Sequence, residues 1–118
     1  MTMLTRGMII DVNLDPVLGA EKGKTRSCVV ITNDIYNQRV PVIQVIPITE
    51  WSEKKSKIKT NVEIQPTAEN GLDKLSLADC LQTRPIAHRY RLVKVRGALV
   101  KSDLQKIEQA LKIVFALP

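Results

Sequence analysis

Between Gly19 and Arg26 the chain sets a carboxylate, Glu21, two ammonium groups, Lys22 and Lys24, and a guanidinium, Arg26, with Gly19 and Gly23 freeing the backbone between them. A guanidinium gives bidentate hydrogen bonds to phosphate oxygens, and its high pKa suits it to holding charge rather than to moving a proton. A nearby carboxylate can accept that proton. Together, at the edge of the apolar run Cys28 to Ile31, these groups form an anion-binding, proton-handling arrangement at the rim of a β fold. Glu21 is then the candidate base and Arg26 the candidate phosphate clamp, with Lys22 and Lys24 as supporting cations. The same residues also read as a solvated hairpin loop, and the loop alone leaves both readings open.

The elements that must position this loop are strands. Met8 to Leu14 alternates loosely and is closed by Asp15-Pro16, and Cys28 to Ile31 is a continuous β-prone run of the kind that is covered on both faces. Asn33-Asp34 gives a cap signal for one helical turn over Asp34 to Gln38. Val40 to Ile48 predicts a third strand in which Pro41 and Pro47 mark an edge or bulge, so that Thr49 emerges where pairing ends. Glu50 to Lys59 reads as an exposed loop whose lysines include Lys54 and Lys55, with Trp51 clamping its start. Thr60 to Gln65 places Val62 and Ile64 on one face, and the Asn70-Gly71 turn separates it from a further strand over Leu75 to Ile86. Arg91 to Val100 places Val93, Val95 and Leu99 on one face. Ser102 and Gln105 then suggest a capping box for a terminal helix with an apolar stripe of Leu104, Ile107, Leu111 and Val114.

Several short strands with tight turns and one terminal helix indicate a mainly β fold with a C-terminal helix, a small and strongly bent sheet or barrel. The 118 residues suit one domain, residues 1–118, able to bury a sufficient core. A net charge of +6 and a pI near 9.6 point to polyanionic partners such as nucleic acid or an acidic protein segment. No acid stands between Asp79 and Asp103, whereas Arg84, Arg89, Arg91, Lys94, Arg96 and Lys101 do. Aromatic residues are only 3%, which argues against serial base stacking and for contacts to phosphate. Cys28 and Cys80 sit in apolar contexts without metal-ligand spacing, and His88 is the single histidine, so no metal site and no cofactor is expected. No signal peptide or spanning segment is legible, and a cytoplasmic protein is expected.

The order RGMIIDVNLDPVLGAEKGKTRSCVVITND, followed by Pro47-Ile48-Thr49, resembles the MazF/PemK family of toxin endoribonucleases. An opening strand, an LDP turn, a G-x-E-x-G loop, the key arginine and an apolar strand ending in Asn-Asp carry the likeness. Weaker similarity continues through Gly71-Leu72, Gln82 to Arg84, Arg91-Leu92 and the terminal helix. The resemblance implies an SH3-like small barrel of the MazF/PemK/CcdB type and a homodimer. It further implies a metal-independent, sequence-specific endoribonuclease that cleaves single-stranded RNA to 2′,3′-cyclic phosphate and 5′-hydroxyl ends and is held inactive by a cognate antitoxin with an acidic segment. It makes Arg26 and Thr49 the catalytic pair; beside them, this chain's own residues offer Glu21 as base and Lys22, Lys24, Arg84, Lys54 and Lys55 toward RNA.

The chain departs from the family at three positions. The family's Arg-Pro is Arg26-Ser27 here, Ala20 stands where the PemK branch has a histidine, and Leu81 stands where it has an acid, so a His-and-acid mechanism is not expected. A non-catalytic barrel remains the alternative, either a nucleic-acid or partner binder such as a CcdB-like topoisomerase inhibitor, or an interaction protein that holds an acidic peptide.

Overall fold

Period-two alternation in the first three strands gives the sheet two covered faces. In the computed structural model, which describes residues 3–118, β1 (Met8–Asn13) pairs antiparallel with β2 (Thr25–Val30), and β2 pairs with β3 (Val42–Glu50). Ile9, Val29, Ile46 and Ile48 point to one side, where they pack with Val62, Ile64, Ile107 and Ala110. Ile10, Val12, Cys28, Val30, Ile43 and Val45 point to the other, with Leu4, Leu14 and Ile86. Burial on both sides explains why these strands read as continuous apolar runs.

Strand β3 is the hub. Along Val42 to Val45 its outer edge pairs with β6 (Arg84–Ala87), and along Ile48 to Glu50 it pairs with β5 (Ser76–Asp79). Strand β4 (Asn61–Ile64) continues from β5, and β7 (Leu92–Ala98) flanks β1. The seven-stranded antiparallel order is β4-β5-β3-β2-β1-β7 with β6 also on β3, and the sheet is bent but not closed. Three short helices, α1 (Asp34–Arg39), α2 (Glu53–Ser56) and α3 (His88–Arg91), lie in the connections, and α4 (Lys101–Phe115) ends the fold. The expected mainly β architecture with a C-terminal helix is what the chain forms.

Several local expectations are corrected. The second strand begins at Thr25, so Arg26 stands in the ladder opposite Val12 rather than in the loop. Pro47 lies inside β3, between the residues paired with β6 and those paired with β5, a position where a missing N–H costs little. Thr49 is therefore not where pairing ends: it sits opposite Leu77 and is only 8% exposed. The run Leu75 to Ile86 is two strands separated by a 3-10 turn over Cys80–Gln82. Within the expected Glu50 to Lys59 loop, the Ser52 hydroxyl accepts from the Lys55 N–H at 3.2 Å and starts α2.

Val93 and Val95 are exposed, and β7 shifts register twice against β1. The capping box is unused: α4 starts at Lys101 with Val100 at its N-cap and no side-chain cap. Its stripe docks as expected, with Ile107 and Ala110 buried and Leu111 and Val114 against the same core. Among the described residues, no helix is long and apolar enough to cross a membrane.

Candidate active site

A cleft of about 180 Å³ opens where β2, β3 and β7 meet the loop between β4 and β5, and Arg26, Ser27, Thr49, Asp73, Lys74 and Arg96 line it. Arg26 and Thr49, the pair singled out in the sequence, are thus brought together from adjacent strands. Strand geometry positions both, since Arg26 precedes the Cys28 to Val30 ladder and Thr49 follows Pro47 on the paired end of β3. Arg26 donates its Nε–H to the Gly23 carbonyl at 2.9 Å, which ties the half-buried side chain to the β1–β2 loop and leaves the two Nη groups without an intramolecular partner among the described residues.

Behind this pair lies a charged network that the sequence did not reveal. Asp11 is only 7% exposed, although it is charged. Its Oδ1 accepts from the Ser27 hydroxyl at 2.6 Å and from the Arg96 Nε–H at 2.8 Å. Burial disfavours the ionised carboxyl, but the hydrogen bonds from Arg96 and Ser27 and the charges of Arg96 and Lys94 outweigh it and hold the group below the usual carboxylate range. In return, the bond to Asp11 raises the Arg96 guanidinium above its ordinary value. Arg96 also donates through Nη1 to the Gly71 carbonyl at 3.1 Å and to Asp73 Oδ2 at 3.3 Å.

The loop that brings Asp73 and Lys74 to the cleft is seated by backbone contact. Gly71 has φ of +69°, and a Cβ there would lie 2.4 Å from the Arg96 carbonyl oxygen. A Cβ on Gly97 would lie 2.1 Å from the Glu69 oxygen, which accepts the Ala98 N–H at 2.9 Å. Only glycine permits so close an approach. Buried Asn70 ties the loop internally, accepting from the Thr67 and Leu72 N–H groups and donating to the Gln65 carbonyl. At the rim, Lys74 Nζ is 3.5 Å from Glu50 Oε2.

The other residues marked in the sequence lie outside the cleft lining. Glu21 is exposed, and its Oε1 accepts from the Leu18 N–H at 2.7 Å, closing a turn within the loop. Lys22 is 3.7 Å from Asp79, Lys24 has φ of 64°, and Arg84 donates to the Leu14 carbonyl at 3.1 Å. Lys54 and Lys55 are exposed on α2. Sequence reasoning missed Asp11, Ser27 as a hydrogen-bond donor, Asp73 and Lys74, and it marked Arg96 only as one of the cations between Asp79 and Asp103. The one available signal was a lone acid inside the apolar run Met8 to Val12.

Cys28 and Cys80 are free and buried, and burial, reinforced by Asp11 and Asp79 respectively, pushes both thiols up to about 12. They are core residues without nucleophilic character at neutral pH. Among the described residues, no group of three or more His, Cys, Asp or Glu side chains could hold a metal ion.

Comparison with known proteins adds the following. Residues 5–115 match the family described as PemK-like, MazF-like toxin of type II toxin-antitoxin system. The chain is 35% identical over 115 residues to the endoribonuclease MazF of Staphylococcus epidermidis, covering 98% of this chain and 93% of that protein. Its fold is similar to that of MazF from Deinococcus radiodurans, with a TM-score of 0.84 at 18% identity, covering 98% of this chain and 99% of that one. It is also similar to a mycobacterial endoribonuclease solved in complex with its cognate antitoxin, with a TM-score of 0.77 at 16% identity, covering 98% of this chain and 97% of that one.

Proposed function

This chain belongs to the family of PemK-like, MazF-like toxins of type II toxin-antitoxin systems, and from that premise we propose that it is a metal-independent endoribonuclease acting on single-stranded RNA. The observation that carries the reading is the meeting of Arg26 and Thr49 in one cleft from positions 23 residues apart. The 2′-hydroxyl oxygen attacks the adjacent phosphorus and the bond to the 5′-oxygen breaks, the leaving oxygen taking a proton from solvent water, which gives a 2′,3′-cyclic phosphate and a 5′-hydroxyl. Arg26 stabilises the charge that builds on the phosphoryl oxygens, where a preorganised donor is worth most. The Thr49 hydroxyl positions the phosphate or the attacking 2′-hydroxyl. Glu21, whose carboxylate accepts from the Leu18 N–H within the loop that Arg26 grips at Gly23, is the candidate acceptor of the 2′-hydroxyl proton.

Lys22, Lys24, Arg84, Lys54 and Lys55 contribute to the positive field that attracts the RNA backbone, in keeping with the net charge of +6. The same surface suits the acidic segment of a cognate antitoxin, and the mycobacterial protein of similar fold, solved with its own cognate antitoxin, supports a partner of that class. The protein works in the cytoplasm as a homodimer with a preferred cleavage sequence.

The test is cleavage of a long, mixed-sequence RNA by wild type and Arg26→Ala in excess EDTA, with the fragment ends mapped. Discrete cuts by wild type that vanish in the variant are the expected result. No cuts by folded, antitoxin-free wild type would leave a non-catalytic binding barrel as the better reading.

A further inference from the structure

Building on the ribonuclease reading, we propose that Arg96 is a second phosphate-binding residue of the cleft, oriented by Asp11, and that the carboxylate of Asp73 competes with phosphate for it. The two acids that hold Arg96 differ in kind. Asp11 is buried, 2.8 Å from Nε, and fixed in turn by the Ser27 hydroxyl on the strand that carries Arg26. Asp73 has a side chain 81% exposed and reaches Nη1 only at 3.3 Å. The first contact is a fixed anchor. The second is the weak, solvent-screened kind of ion pair that an incoming anion displaces.

The guanidinium has capacity left for such an anion. Its Nε–H goes to Asp11 and its Nη1 to Gly71 and Asp73, whereas Nη2 has no hydrogen-bond partner among the described residues. The Arg96 backbone is immobilised from both sides, by the close seating of Gly71 on its carbonyl and of Gly97 on Glu69. A cation held in this way gives up little conformational freedom on binding, which favours affinity. Because Arg26 and Thr49 line the same cleft, Arg96 would take a phosphate next to the one being cut.

The experiment measures binding of a mixed-sequence, single-stranded RNA with every ribose 2′-O-methylated, which removes the attacking hydroxyl while keeping the phosphates. Wild type, Arg96→Gln, Asp73→Asn and the charge-matched surface variant Lys106→Gln are compared between about 50 and 200 mM salt. Arg96→Gln should lower the slope of log K against log salt by about 0.7, the amount for one phosphate contact on a single strand. Asp73→Asn should bind about three-fold tighter at low salt, the size of one removed surface charge contact. Lys106→Gln should leave both quantities as in wild type.

An unchanged slope in folded Arg96→Gln overturns the phosphate role, and unchanged affinity in Asp73→Asn overturns the competition. If Arg96→Gln does not fold, Asp73→Asn decides alone, since its exposed side chain removes nothing from the core. Cleavage of the unmethylated RNA by wild type is followed in parallel. Absence of cuts there removes the ribonuclease reading, while the binding data still judge Arg96.

Discussion

Ser27 and Asp11 face each other across the β1–β2 ladder, and the hydroxyl of Ser27 donates to the carboxylate of Asp11 over 2.6 Å. The position after Arg26 is a hydrogen-bond donor that secures the strand through a buried acid. Arg96 completes the arrangement from β7 on the other side of β1.

Asp11 makes stability depend on acid in a defined direction. Its folded pKa is depressed, so its contribution is complete above the unfolded value of about 3.9 and is lost as pH falls through the lower folded value. Urea unfolding of wild type should therefore weaken below about pH 4. Asp11→Asn should lose about 1–3 kcal/mol at pH 7, and part of the acid limb should flatten. An acid limb as steep as in wild type would show that other carboxyls dominate it.

Arg26→Lys keeps the charge but gives up the planar fork. Cleavage should fall about 10²–10³-fold in kcat, as for loss of a preorganised charge-stabilising donor, with the melting temperature held. Thr49→Ser should retain far more activity than Thr49→Ala, because it preserves the hydroxyl at a site only 8% exposed. Equal losses in the two threonine variants would mean that the methyl group, not the hydroxyl, matters.

Gly97→Ala puts a methyl group where the Glu69 carbonyl oxygen stands, 2.1 Å from the ideal Cβ. The loop must move, at a cost of about 1–3 kcal/mol by analogy with overpacking. Thermal unfolding of this variant, set beside Gly19→Ala, whose Cβ meets nothing within 4 Å but which has φ of +57°, separates the collision from backbone strain.

Both thiols should resist alkylation by iodoacetamide at pH 8 in the folded protein, since each is buried and pushed up to about 12. Mass spectrometry with and without urea checks this. Rapid labelling of Cys28 without denaturant would place it in a segment that opens locally.

Much of this was legible in the chain because it is local. Alternating apolar residues in β1 and β4, and the stripe of Ile107, Leu111 and Val114, report their own burial. What escaped is set by distant partners. Nothing within Leu75 to Ile86 signals a break, and the 3-10 turn is placed by bonds from the Cys80 N–H to the Thr60 carbonyl and within Cys80 to Thr83. The two register shifts of β7 against β1 likewise exist only in the paired sheet. Arg26 and Thr49, which line one cleft, were nominated through family likeness, whereas Asp11 and Arg96, 85 residues apart, become partners only once their strands lie near each other.

Asn70, Gly71 and Gly97 seat the β4–β5 loop through main-chain atoms and one buried amide, so neither Asp73 nor Lys74 has to hold the loop in place. Both side chains nevertheless border the cleft. These two positions form an evolvable rim, free to change sign or size while the scaffold stays intact, and a lineage could retune what the cleft admits there without renegotiating the fold.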